Sequence, residues 1–79
     1  MARRQRHPQQ VAFGARLRAR RKALGWSQRL LAEQSGLDWS YVAQVERGER
    51  NIALLNIHRL ADALDTAVAE LFLDAEDEL

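Results

Sequence analysis

Glycines at 25, 36 and 48 cut the middle of this chain into pieces of ten and eleven residues. Such a piece is about three turns of α-helix, so each holds one short helix and no more. Glycine just beyond the last helical residue is a common helix stop. Each piece also opens on a start signal. Ser27 stands where an N-cap hydroxyl accepts from an orphan N–H, and Asp38 takes the same place two residues after Gly36. Leu30 rather than Glu or Gln follows three residues after Ser27, so the cap is single-sided. Two short helices joined by a tight turn are the expected centre of the molecule.

The flanks supply the rest. A first helix opens at Pro8, whose missing N–H has no partner to lose in a first turn. Phe13, Leu17 and Leu24, spaced four then seven with Ala12 and Ala23 alongside, mark its inner face. The second helix runs from Ser27 to about Ser35, with Leu31 and Ala32 inward. The third runs from Trp39 to about Arg47. At 100° per residue Val42, Val45 and Glu46 share its core side, while Ser40, Ala43, Gln44 and Arg47 lie opposite. A loop, 49–53, leads to a fourth helix with Leu54, Ile57, Leu60, Ala61 and Leu64 at helical spacing. A short fifth carries Val68, Leu71 and Phe72 after Asp65-Thr66. One proline and no strand-like alternation leave an all-α class of five helices. The chain divides into a basic arm, 1–8, a helical domain, 9–73, and an acidic tail, 74–79.

The formal net charge of +1 hides a lopsided distribution. Residues 1–36 carry nine Lys or Arg and one Glu; residues 37–79 carry three Arg and ten Asp or Glu. A basic half of this kind points to a polyanionic partner. With no Cys, disulfides and zinc–thiolate sites are excluded, and an intracellular, cytoplasmic setting is expected. No apolar run approaches the roughly 20 residues of a membrane helix, so no membrane partner is expected. His7 and His58 have no Cys or carboxylate pair beside them, and no glycine-rich phosphate loop exists. Neither an enzyme, a metal site nor a cofactor is expected. A core of this size is marginal alone, and self-association is a common remedy.

Helix, glycine, short turn, helix is the outline of a helix-turn-helix. An α-helix fits the B-DNA major groove, where base pairs present distinct donor and acceptor patterns. The residues that fill the outline resemble a known family. Leu24-Gly25-Trp26-Ser27-Gln28, Leu31-Ala32, Ser35-Gly36, Tyr41-Val42 and Val45-Glu46-Arg47-Gly48-Glu49-Arg50-Asn51 look like the Cro/C1-type (xenobiotic-response-element) helix-turn-helix regulators. The likeness continues through Leu60-Ala61-Asp62-Ala63-Leu64 and Glu70-Leu71-Phe72, and covers about residues 13 to 73. Within it, Tyr41 through Arg50-Asn51-Ile52 to Leu55-Asn56-Ile57 is similar to the controller proteins of restriction–modification systems.

The resemblance implies a five-helix, lambda-repressor-like domain that binds a palindromic double-stranded DNA operator as a homodimer and regulates transcription. It implies base contacts from Trp39, Ser40, Ala43 and Gln44, with Gln28 at the groove edge. Ser27, Tyr41, Arg47 and Arg50 match backbone-contacting positions. Arg21 and Glu46 match a buried ion pair that ties the first helix to the recognition helix. Controller proteins often have Arg where Trp39 stands, so Trp39 either meets the DNA or covers its helix N-terminus. Leu55, Val68, Leu71 and Phe72 are the expected dimer surface. Ala53 and Ala67 replace the usual Ser or Thr caps, and Asp65 replaces a terminating Gly, which predicts a less stable C-terminal half. Arg3, Arg4 and Arg6 are either a solubilising tail or added DNA contacts. An antitoxin-type module that binds a toxin protein is the alternative, weakened by the few residues after Phe72.

Overall fold

The computed structural model describes residues 6–73; the acidic tail, and Arg3 and Arg4 of the basic arm, lie outside the described residues. Four α-helices follow one another: α1 (Pro8–Ala23), α2 (Gln28–Ser35), α3 (Trp39–Glu46) and α4 (Leu54–Ala63). The domain is all-helical, with no strand among the described residues. The expected fifth α-helix is instead a 3₁₀ helix, Val68–Phe72. Five residues are too few to offset the cost of an α-helical nucleus, and the segment closes with Glu70 N–H on Ala67 O, three residues back, at 3.0 Å. α1 begins at Pro8 itself, so the helix claims the last residue expected for the arm. No helix among the described residues is long and apolar enough to cross a membrane.

The core is Phe13 and Leu17 of α1, Leu31 and Ala32 of α2, Val42 and Val45 of α3, Leu60 and Ala61 of α4 with Leu64 at its end, and Leu71. Leu24 does not join them. α1 ends at Ala23 and Leu24, its C-cap, is 50% exposed. The inner face of α1 runs Phe13, Gly14, Leu17 and then Arg21. Leu54 is likewise 70% exposed, because it opens α4 before the helix reaches the core.

Two glycines shape the packing. Gly36 closes α2 with φ +73°, and the next N–H, of Leu37, reaches back to Ala32 O at 3.0 Å. That sharp exit turns the chain directly into α3. Gly14 lets α1 lie against the end of α3: a Cβ there would sit 2.3 Å from Val45 O and 2.7 Å from Glu46 O.

Capping is uneven. The Ser27 hydroxyl oxygen accepts from Leu30 N–H at 3.0 Å. Asp38 stands at the N-cap of α3 but makes no side-chain cap bond. Ala53 and Ala67 stand at N-caps with extended backbone and nothing to cap with, and Asp65 takes φ +54°, a left-handed backbone an L-residue resists. Ala53→Ser is therefore expected to stabilise the domain by about 1 kcal/mol, raising its thermal midpoint by roughly 4–8 °C in a circular-dichroism melt.

Candidate nucleic-acid interface

The turn Gly36-Leu37-Asp38 sets α3 beside α2 with one face pinned. Val42, Val45 and Glu46 are buried; Ser40 and Arg47 are exposed on the opposite side, with Ala43 and Gln44 half-buried among them. The pin is electrostatic as well as apolar. Arg21 of α1 donates to Glu46 of α3 through Nε at 2.7 Å and Nη2 at 2.9 Å, a bidentate pair with both side chains buried. Its remaining Nη1 donates to Trp26 O at 2.8 Å. The bond to Glu46 raises the Arg21 pKa above its ordinary value, against the opposing effect of burial. Every buried side-chain polar atom among the described residues has a partner.

The network continues to the surface. Gln28, first residue of α2, donates from Nε2 to Glu46 Oε1 at 3.0 Å. Its other amide atom, Oε1, accepts from the indole N–H of Trp39 at 3.4 Å. Gln28 therefore spans α2 and α3, and both ends of its amide are engaged. Trp39 is half exposed at the start of α3, and the Arg29 guanidinium lies 4.7 Å over its ring.

The far end of α3 gathers cations. Arg47 donates to Glu49 through Nε and Nη2, both at 3.1 Å, and Arg6 reaches the same carboxylate at 2.7 Å. The hydrogen bond from Arg47 holds the Glu49 carboxyl below its ordinary pKa, with Arg6 adding to the effect. Arg50 lies 5.1 Å over the Tyr41 ring, and the Tyr41 hydroxyl accepts from Asn56 Nδ2 at 3.1 Å. Ser27, Gln28, Trp39, Ser40, Tyr41, Ala43 and Gln44 thus occupy the α2–α3 unit, while Arg47 and Arg50 lie at and just beyond its end.

Of the four side chains expected at a dimer surface, Leu71 is fully buried in the protomer's own core and must be removed from that set. Each turn of a short helix that packs on a core sends one side chain inward, and Leu71 is that side chain here. Val68 is half-buried against the same core. Leu55 and Phe72 are exposed, as are Leu54 and Leu73. Phe72 keeps one side on Phe13, with ring centroids 5.3 Å apart. Arg29, Glu49 and Asn56 are additional members of the site that sequence reasoning missed. Their contacts join residues brought together by the turn, which no helical spacing reveals.

The sequence profile of the Helix-turn-helix family matches residues 17–71, most of the chain and the whole of the unit just described. The chain belongs to the Cro/C1-type helix-turn-helix family. The restriction–modification controller protein C.AhdI of Aeromonas hydrophila, a crystal structure, is 56% identical, with 84% of this chain and 100% of that one covered and a TM-score of 0.82. The control protein C.MunI of a Mycoplasma species is 36% identical over 69 residues, 86% of this chain and 93% of its own length. A hypothetical transcription factor of Neisseria meningitidis serogroup B is 51% identical over 55 residues, and the match spans 52% of that protein's length. Family membership places the matched helix-turn-helix, with α3 as its second helix, among regulators of transcription.

Proposed function

We propose that this protein is a sequence-specific transcriptional regulator of the restriction–modification controller type, which binds a palindromic operator as a homodimer. The observation that carries the reading is the state of α3. Its inner face is locked to α1 and α2 through Glu46, and its outer face leaves Ser40, Ala43, Gln44 and Arg47 turned away from the core. A helix held so rigidly can deliver side chains to base edges in a fixed register, which direct readout requires. In this reading Gln44 pairs with adenine N6 and N7, Ala43 meets a thymine methyl, and Ser40 meets an outer base pair, with Trp39 beside it at the start of α3. Gln28 holds the groove edge. Ser27, Tyr41, Arg47 and Arg50 take backbone phosphates, with Glu49 yielding its cations to them.

Leu55 and Phe72, joined by Leu54 and Leu73, form the surface proposed for the second copy. Single exposed apolar residues are ordinary, but four large ones confined to the first turn of α4 and the end of the 3₁₀ helix favour a covered face.

Footprinting on the DNA upstream of the protein's own gene tests the proposal. Two protected half-sites about one helical turn apart, or a multiple of it, are expected. Uniform weak protection defeats the reading. Gln44→Ala is expected to cost about 1–3 kcal/mol of operator binding and to relax preference at one base pair, measured by competition titration. Equal losses on operator and random duplex would make Gln44 a phosphate contact instead.

A further inference from the structure

The arginines of the described residues take partners that differ in kind. Arg21 is committed to Glu46, Arg20 to Glu70, and Arg6 and Arg47 to Glu49. Arg59 reaches Asn56 and Arg50 lies on Tyr41. Arg29 is the case in which the partner is a ring at the mouth of the α2–α3 unit: its guanidinium lies on the Trp39 indole, and it has no carboxylate partner among the described residues.

The indole is itself held. Its N–H donates to Gln28 Oε1, Gln28 Nε2 donates to Glu46, and Glu46 is clamped by Arg21. A continuous chain of contacts therefore runs from the buried ion pair to the ring that carries Arg29. Stacking on a ring restrains a guanidinium through its face and leaves its N–H groups, which lie in its plane, open at the edge. A planar fork of donors matches the O6 and N7 acceptors that guanine shows in the major groove. Trp39 is the first residue of α3, the end of a recognition helix that contacts base edges.

We infer that Arg29 is a base-reading residue of this regulator, which offers its guanidinium edge to a guanine in the major groove from its seat on Trp39, and that Trp39 is its positioning residue. The inference rests on the operator-binding reading above and adds to it a specificity for one G·C pair in each half-site, supplied by α2 rather than by α3. Lysine keeps the charge but neither stacks in the same way nor forms a two-donor fork.

The experiment is in vitro selection from a library of duplexes with a randomised central segment, run in parallel on the wild-type chain, Arg29→Lys, Arg29→Ala, Trp39→Ala and Trp39→Phe. Thermal melts accompany each. The wild type is expected to select a G·C pair at one symmetric position of each half-site. Arg29→Lys should lose about 5- to 150-fold of discrimination at that pair while keeping its preferences elsewhere. Trp39→Ala should reproduce that loss, and Trp39→Phe, which keeps a ring under the guanidinium but lacks the N–H that Gln28 holds, should restore part of it. A selected sequence for Arg29→Lys identical to the wild type's overturns the inference. So does a weakening by Arg29→Ala that is equal for every sequence, which would place Arg29 on a phosphate. Wild-type protein that selects no sequence at all overturns the operator-binding reading and this inference together, whereas wild-type selection that Arg29→Lys leaves untouched overturns this inference alone.

Discussion

Glu46→Ala is expected to destabilise the domain by about 3–5 kcal/mol, because it leaves the buried Arg21 guanidinium without its counter-charge. In a domain of this size that lowers the thermal midpoint by roughly 12–40 °C. The effect is large because Glu46 serves three side-chain bonds at once, two from Arg21 and one from Gln28. Removing it exposes no single contact but loosens α3 from both α1 and α2. DNA binding should fall as a consequence of unfolding and return on cooling below the variant's own midpoint. A melt that superimposes on the wild type's would refute a structural role for the pair. Replacing Arg21 and Glu46 together by apolar residues of similar volume should recover much of the loss, since a buried pair adds little net stability over a well-packed apolar one.

Gly14→Ala is expected to destabilise by about 3 kcal/mol, at the upper end of what overpacking costs. Helix propensity alone predicts the opposite sign, a gain of about 1 kcal/mol for Ala over Gly within a helix. The contact decides the outcome. The added methyl meets the carbonyl oxygens of Val45 and Glu46 at 2.3 and 2.7 Å, and these belong to backbone that cannot rotate aside. α1 and α3 must part, and the separation lengthens the Arg21–Glu46 bonds that hold α3. The urea midpoint of the variant measures the stability loss. Its operator affinity, taken under conditions where it remains folded, should fall as well, because the register of α3 moves. A higher urea midpoint than the wild type's would show that α1 and α3 yield without cost.

Much of this was legible in the sequence where the physics is local. Glycines 36 and 48, Ser27 and the spacings of Leu31, Ala32, Val42, Val45, Leu60, Ala61 and Leu64 each act within one helix, and each stands in the structure where that spacing puts it. Leu24 and Leu54 were misplaced because periodicity extends a face past the residue where the helix stops or starts. Arg21 occupies the inner face that Leu24 was expected to continue. A charge can be buried there only because Glu46, 25 residues away, meets it. Glu46 itself fell on the core side of its helical wheel, but the identity of its partner came from family resemblance. Leu71 and Phe72 are neighbours with opposite fates, and no period decides which of them faces the core in a 3₁₀ segment of five residues. The close approach at Gly14 and the seat of Arg29 on Trp39 are products of tertiary geometry, and nothing in the order of residues announces them.

The opposite fates of Leu71 and Phe72 couple two properties of the chain that are otherwise separate. Leu71 closes the core, and Phe72, the next residue, belongs to the surface proposed for the second copy. Covering Phe72 in the proposed dimer therefore also restrains the segment that seals the fold, so subunit concentration enters the apparent stability by mass action. In such a dimer dilute subunits would be the least durable form, and a thermal midpoint that rises with protein concentration is the expected result.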